Sequence, residues 1–364
     1  MIRYYDYEKR LPNAKDDILA LVRATASSGE FILKSAVEEF EGALCAHSGA
    51  SHAVCVSSGT FAMALALQAA GVGPGDEVIT PAYSYVASAS AIKFVGAVPV
   101  FVDVRPDDFT LCPAEVAKAV TTKTRACIGV HLFMSLADMA QLRDVLPRSV
   151  FVLEDAATAF GATHNGVSAG AMGDAGVLSF YPAKPLGGLG DAGAVLTNDP
   201  ALATKVRMLR NHGQDGKVRF HHQFLGYNSR MDDLNARWLL GRMKSQPAES
   251  ERRRALARMY DDAFAACPDT VPQVRTAAQF APHAYVIRTK QRDALRAHLK
   301  QQGVETKVHF PATLPDQPAF SQHKRGDYPV SETLAKEVLA LPLSAHITDH
   351  DLSDIAASVV GFFK

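Results

Sequence analysis

A short turn that carries one lysine between two apolar runs constrains this chain more than any other feature. Residues 177–197 begin as an apolar run, stop at Pro182, present Lys184 and continue as a second apolar run from Ala194. The glycines that follow the lysine are Gly187, Gly188, Gly190 and Gly193. Glycines let a backbone pass close to a ligand without side-chain clash. The pattern predicts a rigid loop between two strands whose lysine could attack a carbonyl, although a solvated loop lysine is the commoner arrangement.

Length and composition indicate an ordinary globular protein with a large core. The chain has 364 residues, of which 48% are hydrophobic and 21% charged, so two domains are expected. The formal net charge is zero, which argues against a broad electrostatic surface for nucleic acid or for an anionic membrane. A local site for a phosphate group is still compatible with this balance of charges.

Cysteine usage and hydropathy predict a cytoplasmic protein. The five cysteines are scattered and form no CxxC pair, so reduced thiols are expected rather than a disulfide framework or a metal site. The first ten residues contain no apolar run of the kind that a signal peptide needs. No apolar run reaches the roughly 18 residues of a membrane span, so no membrane partner is expected.

Short apolar runs alternate with segments of helical period between residues 53 and 155. The strands predicted here cover residues 53–57, 77–81, 98–104, 126–131 and 150–153. The helices predicted before and between them cover residues 14–27, 34–47, 61–70, 86–95, 113–120 and 137–145. This order predicts a mostly parallel sheet with helices on both faces. The strands are almost unbroken apolar runs, which is typical of strands that are covered on both faces.

The pattern changes after residue 200. The segments predicted next are a helix over 202–209, a polar loop over 211–226, a helix over 230–243 and a helical connector over 249–266. The small α/β unit predicted beyond them has strands over 285–289 and 304–310 and helices over 292–302 and 331–339. We place the domain boundary at residue 245. This gives a large domain over 1–245 and a small C-terminal domain over 246–364.

Two groups of polar residues follow predicted strands and are candidates for ligand binding. Ser57-Ser58-Gly59-Thr60 lies between a strand and a helix, where free backbone N–H groups and hydroxyls favour an anion. A plain helix N-cap is the alternative for this segment. Asp155 ends an apolar strand, at the edge where open α/β sheets bind their ligands. A buried carboxylate there needs a partner such as a protonated pyridine nitrogen, unless it caps the next helix.

Other candidates are aromatic or basic. Tyr83 and Tyr85 follow a strand end, and an aromatic face there can stack on a flat ring, although each alone is more typical of a core or surface position. Asn228 and Arg230 open a helix and can reach an anionic group, with helix capping and a surface arginine as the alternative. His309 closes a predicted strand, where a histidine is more often structural than catalytic. The remaining histidines have no spacing typical of metal ligands.

The order of these segments resembles the DegT/DnrJ/EryC1/StrS family of sugar aminotransferases, which use pyridoxal 5′-phosphate. The resemblance runs from about residue 28 to residue 345. Its recurrent phrases are Gly29–Leu33, Ser57–Thr60, Gly75–Pro81, Val98–Asp103, His131–Phe133, Glu154–Ala157, the Lys184 loop, Gly226–Met231, Gly303–Thr306 and Leu341–Leu343. Each phrase alone is weak, and the ordered set is what identifies the family.

The resemblance implies the α/β architecture of fold-type I pyridoxal phosphate aminotransferases, with a large, mostly parallel sheet domain and a small C-terminal α/β domain, working as a homodimer. Lys184 would bind the cofactor covalently, Asp155 would bind its pyridine nitrogen, and His309 would face the substrate. The cofactor-binding residues implied are Ser58, Gly59, Thr60, Tyr85, Asp155, Thr158, Ser179, Lys184 and Asn228, the last acting across the dimer interface in a shared active site. The substrate-binding residues implied are Tyr181, Arg230 and His309.

Retention of Lys184 favours transamination, because family members with a histidine there act as dehydratases. The expected reaction moves an amino group from an amino acid, glutamate in most of the family, to a keto-sugar. The lysine loop resembles that of members acting at C-3 of a nucleotide-linked keto-deoxyhexose. The departures from the family's usual residues are on the substrate side, at Phe61, Met134–Leu136, Thr158, Phe160 and Pro315. They leave open a non-nucleotide acceptor, such as a cyclitol or a higher keto-sugar acid, and a non-catalytic sensor is a further alternative.

Overall fold

A seven-stranded sheet forms the centre of the fold in the computed structural model, which describes residues 1–10, 14–218, 220–277, 279–281 and 283–364. The strands are β1 (His52–Val56), β2 (Glu77–Pro81), β3 (Val98–Val102), β4 (Thr124–Val130), β5 (Phe151–Asp155), β6 (Thr163–His164), β7 (Val167–Ser168), β8 (Ala175–Ser179), β9 (Gly193–Thr197), β10 (Val271–Pro272), β11 (Tyr285–Arg288) and β12 (Val338–Leu341). The helices are α1 (Tyr7–Arg10), α2 (Ala14–Ser28), α3 (Ser35–Ser48), α4 (Gly59–Ala69), α5 (Ala87–Phe94), α6 (Pro113–Ala119), α7 (Met139–Val145), α8 (Pro200–Leu209), α9 (Asp233–Phe264), α10 (Arg292–Gln301), α11 (Pro329–Glu337) and α12 (Asp349–Phe362).

The central sheet is mostly parallel, which confirms the prediction from the sequence. Its strands lie in the order β1-β9-β8-β5-β4-β2-β3, and β9 runs antiparallel to both of its neighbours. The five strands predicted before residue 155 are observed with ends that differ by at most two residues. This order puts β8, which leads into the lysine loop, directly beside β5, which ends at Asp155. The two segments that the sequence singled out therefore leave the sheet side by side.

Both faces of the sheet are covered, as the unbroken apolar strands predict. Along β1, Ala53 and Cys55 pack into a core cluster with side chains of α3 and α9. Val54 and Val56 pack into a second cluster with side chains of α4, α5 and α8. Successive side chains of a strand point to opposite faces, so one strand contributes to two cores.

Helix α9 joins the sheet to the C-terminal part of the chain. The two helices predicted over 230–243 and 249–266 are one helix of 32 residues that continues through Pro247, so the predicted break is wrong. A proline inside a helix removes a backbone hydrogen bond, and burial of both halves of α9 offsets that cost. Trp238 and Leu239 pack against the sheet core, whereas Tyr260 and Phe264 pack in the C-terminal core. The predicted domain boundary at residue 245 lies within this helix and stays a prediction.

The C-terminal part differs from the prediction in two places. The predicted strand over 304–310 is wrong, because this segment makes only single bridges among the described residues, one of them between Val304 and Ile2. The helix predicted over 331–339 ends at Glu337, and the next residues form β12, which pairs with β11. In both cases the partner strand or chain terminus decides the conformation. No helix in the described part of the chain is both long and apolar enough to cross a lipid bilayer.

A close backbone approach beside the site gives a test of this packing. A Cβ on Gly176 of β8 would lie 2.1 Å from the carbonyl oxygen of Gly170, so Gly176→Ala should lower the free energy of unfolding by about 1–3 kcal/mol or more. The matched control is Gly241→Ala in α9, where a Cβ meets no atom within 4 Å. This substitution should raise the free energy of unfolding by up to about 1 kcal/mol, because alanine favours a helix more than glycine does. Urea unfolding of both variants measures the difference. Wild-type stability of the Gly176 variant would contradict the close approach.

Candidate active site

Lys184 and Asp155 share one electrostatic environment at the carboxyl edge of the sheet. Burial raises the pKa of Asp155, and this rise is partly offset by the hydrogen bond from the backbone N–H of Ala157 (3.0 Å) and by the charge of Lys184. Burial lowers the pKa of Lys184, and the Asp155 carboxylate partly offsets that change. The structure therefore brings together the two residues that the sequence placed at the centre of the chemistry. An amine with a lowered pKa is more often neutral and hence nucleophilic.

The N-terminal segment holds the backbone of the lysine loop. The Arg10 guanidinium donates hydrogen bonds to the carbonyl oxygens of Pro182 (2.9 Å), Lys184 (3.1 Å) and Pro185 (2.9 Å). Arg10 is itself buried, so these are charge-assisted bonds shielded from water. A single side chain thus satisfies three carbonyls of the loop and fixes the direction in which Lys184 leaves the backbone.

Helix α9 holds the next part of the same loop. Arg242 donates from Nε to the carbonyl of Leu186 (3.2 Å), and Trp238 donates from Nε1 to the carbonyl of Gly187 (3.0 Å). Gly187 has a φ of 73°, and a Cβ there would lie 2.9 Å from the carbonyl oxygen of Pro182. The left-handed backbone and the close approach together explain why glycine occupies this position. The rigid loop that the sequence predicts is held by side chains from two distant parts of the chain.

The start of helix α4 forms a cradle with a serine at the end of β8. Ser58 caps the helix by accepting a hydrogen bond from the backbone N–H of Phe61 (3.2 Å). A Cβ on Gly59 would lie 2.9 Å from Cβ of Ser179, and a Cβ on Gly193 would lie 2.5 Å from the backbone of Ser58. Free N–H groups at a helix start, next to hydroxyl side chains, are suited to a phosphate. The cradle that these glycines keep open fits the phosphate of pyridoxal phosphate, and the buried Asp155 carboxylate fits its protonated ring nitrogen.

Buried polar groups under the site are satisfied within the protein. Nδ1 of His131 accepts a hydrogen bond from the backbone N–H of Ala137 (2.9 Å), so Nε2–H donates to Glu154 (2.7 Å). Glu154 also accepts from the backbone N–H of Gly170 (2.5 Å). The Thr158 hydroxyl donates to the carbonyl of His131 (3.0 Å). These bonds connect the segments that follow β4 and β5 with each other, and a cofactor contact by Thr158 stays a prediction.

His309 has a partner that the sequence analysis missed. The Tyr4 hydroxyl lies 2.9 Å from Nε2 of His309, and the backbone N–H of Tyr4 donates to Glu305 (2.8 Å). Burial lowers the pKa of His309 to about 4, with help from the charges of Lys184 and Lys307. The signal in the sequence was the aromatic run that begins at Tyr4, which lies outside the segments that resemble the family.

Four predicted ligand-binding residues lie at or near the surface of the single chain. The side chain of Tyr85 is 61% exposed and that of Tyr181 is 50% exposed, and Asn228 is also exposed. Nη1 of Arg230 donates to Asn211 (3.4 Å), whereas its Nε is buried without a hydrogen-bond partner among the described residues. Their binding roles stay predictions.

Two other expectations from the sequence concern Tyr83 and the binding of a metal ion. Tyr83 is a core residue that packs edge-on against Phe310, so the structure does not support the ring-stacking role considered for it. No group of three or more His, Cys, Asp or Glu side chains suited to a metal ion occurs within the described ranges. All five cysteines are free thiols.

Comparison with known proteins finds close relatives along nearly the whole chain. A sequence profile of the DegT/DnrJ/EryC1/StrS aminotransferase family matches residues 12–360. A Geobacillus stearothermophilus protein named pleiotropic regulatory protein is 39% identical over 365 residues, covering 99% of this chain and 98% of that protein. A dTDP-3-amino-3,4,6-trideoxy-alpha-D-glucose transaminase from Streptomyces venezuelae is 38% identical over 351 residues, covering 95% and 92%. The crystal structure of S. venezuelae DesV with a ketimine intermediate is similar with a TM-score of 0.94 at 37% identity, covering 99% and 98%.

The contact between Tyr4 and His309 predicts which ring nitrogen carries the proton. Burial raises the pKa of the Tyr4 hydroxyl well above its ordinary value, so the hydroxyl keeps its proton. We expect it to be the donor of the hydrogen bond to Nε2 of His309. His309 should then be neutral with its proton on Nδ1, and ¹⁵N NMR at neutral pH should detect that tautomer. Tyr4→Phe should shift His309 toward the Nε2–H tautomer, whereas Tyr7→Phe, at a half-exposed tyrosine, should leave it unchanged. An Nε2–H signal in the wild type would contradict the assignment.

Proposed function

The chain belongs to the DegT/DnrJ/EryC1/StrS aminotransferase family and is a sugar aminotransferase that depends on pyridoxal phosphate, and on this premise we propose that it transfers the amino group of glutamate to a nucleotide-linked keto-deoxyhexose. The observation that carries the proposal is the electrostatic pairing of the partly buried Lys184 with the buried Asp155, beside the cradle of Ser58–Thr60 and Ser179. The similarity to the dTDP-sugar transaminase of S. venezuelae supports the choice of a nucleotide-linked acceptor.

Lys184 and Asp155 would share the chemical work. When bound, pyridoxal phosphate supplies an electron sink for the carbon that loses its proton. The Asp155 carboxylate would keep the ring nitrogen protonated, since a buried carboxylate is stabilised by a charged partner. The Lys184 amine, whose pKa burial lowers, would take the proton from Cα of the amino donor and return it on the cofactor side.

The remaining predicted residues would bind and orient the cofactor and the substrates. Backbone N–H groups of Gly59 and Thr60 and the hydroxyls of Ser58 and Ser179 would hold the phosphate. Tyr85 would cover one face of the ring and Thr158 would lie at its edge. His309, as a neutral imidazole, and the side chains of Tyr181 and Arg230 would face the substrates.

A homodimer would complete this site. Large apolar side chains are exposed at Val218, Phe224 and Leu225, the last at 91%, and the exposed Asn228 follows them in the chain. Exposed apolar clusters of this kind mark protein interfaces. We place this segment against a second copy, where Asn228 would reach the partner's phosphate cradle, in a protein of the cytoplasm.

The structure weakens one argument for a different acceptor. Phe160, one of the departures that suggested an unusual substrate, stacks on His47 with ring centroids 4.5 Å apart and lies in the core with Phe180. Its identity therefore reflects packing under α3. The departures at Phe61 and Thr158 still favour keeping a non-nucleotide keto-acceptor, a cyclitol or higher keto-sugar acid, as the second candidate.

Replacement of the lysine tests the chemical role. Lys184→Ala should abolish turnover to below about one-thousandth of the wild-type rate, because no other amine replaces it as base, while the melting temperature stays close to that of the wild type. The matched control is Lys336→Ala, at an exposed lysine of α11, which should keep full activity. Product formation is measured by mass spectrometry. Repeated turnover by the Lys184 variant would refute the assigned role.

A panel of acceptors tests the choice of substrate. With glutamate as donor, the enzyme should aminate a dTDP- or UDP-linked keto-deoxyhexose, and mass spectrometry should detect the amino-sugar nucleotide. Free keto-hexoses and keto-cyclitols should be poor acceptors, because they lack the nucleotide that contributes binding energy. Efficient amination of a nucleotide-free acceptor would favour the second candidate. A cofactor absorbance band that no amino donor changes would favour the sensor.

A further inference from the structure

A partly open, basic cavity lies behind the lysine loop, next to the site described above. Its walls come from the N-terminal segment, the lysine loop, α9 and the segment before β11, and include Tyr5, Tyr7, Arg10, Ala183, Arg253 and His283. The space open to the centre of a water molecule is about 30 Å³. This exceeds the roughly 10–15 Å³ that one water needs, and it admits a group of carboxylate size but not a nucleotide.

Three buried nitrogen atoms of residues that line this cavity lack hydrogen-bond partners among the residues that the structure describes. They are Nε of Arg10, Nε of Arg253 and Nδ1 of His283. Arg10 and Arg253 are 9% and 6% exposed. Buried polar groups are nearly always paired, and each exception calls for an explanation. Their convergence around one cavity indicates a missing hydrogen-bonding group.

The charges around the cavity are also unbalanced. The guanidinium groups of Arg10, Arg242 and Arg253 all lie within 4 Å of the carboxylate of Glu249, at 3.8, 2.6 and 3.9 Å. The Asp6 carboxylate lines the cavity as well and accepts a hydrogen bond from the backbone N–H of Lys9. Three cations thus face two anions, and burial together with the neighbouring guanidinium groups lowers the pKa of Arg10 to about 9. An excess of buried positive charge favours an anion.

The cavity adjoins the reacting lysine. Ala183, next to Lys184, forms part of its wall, and Arg10 contacts both the cavity and the carbonyl of Lys184. The pKa of His283 is lowered well below its ordinary value by burial and by the nearby charge of Lys184. An anionic group in the cavity would therefore lie close to a substrate that reacts at Lys184.

We propose that Arg10, Arg253 and His283 form a binding site for a carboxylate group of a substrate. The proposal rests on the proposed function, whose substrates can supply a carboxylate either as the side chain of the amino donor or as an acid group of the acceptor. The two arginines would neutralise the carboxylate and His283 would donate a hydrogen bond from its free nitrogen. A carboxylate fits better than a phosphate, because it needs less room and carries the single negative charge that balances the cluster.

Binding of an unreactive dicarboxylate tests the site without catalysis. Calorimetry on the holoenzyme should detect glutarate, which has no amine to react. Arg253→Gln should weaken this binding at least tenfold, Arg253→Lys should weaken it less, and Arg258→Gln, at an exposed arginine on the same helix that pairs with Glu251, should leave it unchanged. If the buried Arg253 variants do not fold, Tyr7→Phe tests the same wall from a half-exposed position and should weaken binding severalfold. Equal glutarate affinity in the folded variants and the wild type, or equal binding of chloride and inorganic phosphate, would overturn the proposal.

The first half-reaction identifies which substrate supplies the carboxylate. The change in cofactor absorbance is followed with glutamate and with alanine, which lacks a side-chain carboxylate. If the donor is the source, Arg253→Gln should raise the half-saturating glutamate concentration at least tenfold and leave that of alanine within about twofold. If the acceptor is the source, both donors should behave as in the wild type while glutarate binding is lost.

These results also separate the site from the proposed function. If the enzyme binds glutarate through Arg253 but aminates no nucleotide-linked sugar, the result supports the carboxylate site and contradicts the proposed acceptor. If the Arg253→Gln enzyme aminates the nucleotide-linked sugar and binds glutarate like the wild type, the result supports the proposed function and contradicts the carboxylate site.

Discussion

The electrostatic interaction between a partly buried lysine and a buried aspartate, at one edge of the sheet, is the one on which the rest of this structure depends. Burial shifts the pKa of each group toward its neutral form, and each charge partly restores the other. Such a pair costs desolvation energy, so it persists only where the surrounding fold holds it in place. The adjacent strands β5 and β8 and the helix start at Gly59 provide that support, and together they leave a cradle suited to pyridoxal phosphate.

The lysine loop is stabilised mainly from outside itself. Arg10 satisfies three of its carbonyls, and Trp238 and Arg242 satisfy two more. The N-terminal segment and α9 also contribute to the wall of the basic cavity behind the loop, and the N-terminal segment supplies Tyr4 to His309. The same two elements thus fix the reactive amine and line the space beside it, so changes in either should affect both stability and substrate binding.

Local patterns predicted the parallel sheet well because its strands carry their signal in consecutive residues. The run before Glu154 and Asp155 is apolar from Val150 to Leu153, and the run that leads into Lys184 is interrupted only by Ser179 between Val177 and Tyr181. Nearly continuous apolar runs of this kind are typical of strands covered on both faces. The prediction failed where neighbours far away in the chain decide the structure. Residues 230–266 suggested two helices, although they form the single helix α9, whose two halves are both buried in a core. Residues 304–310 suggested a strand, although they make only single bridges within the described ranges.

The sequence by itself determined the chemistry, because a lysine between glycines, an aspartate at a strand end and a Ser-Gly-Thr helix start are each local and occur in a fixed order. Only the tertiary structure decided which other side chains reach the site. Arg10 lies 174 residues from the lysine whose carbonyl it binds, and Tyr4 lies 305 residues from His309. Contacts over such separations leave no periodic pattern in the chain, since they depend on how the packed elements meet.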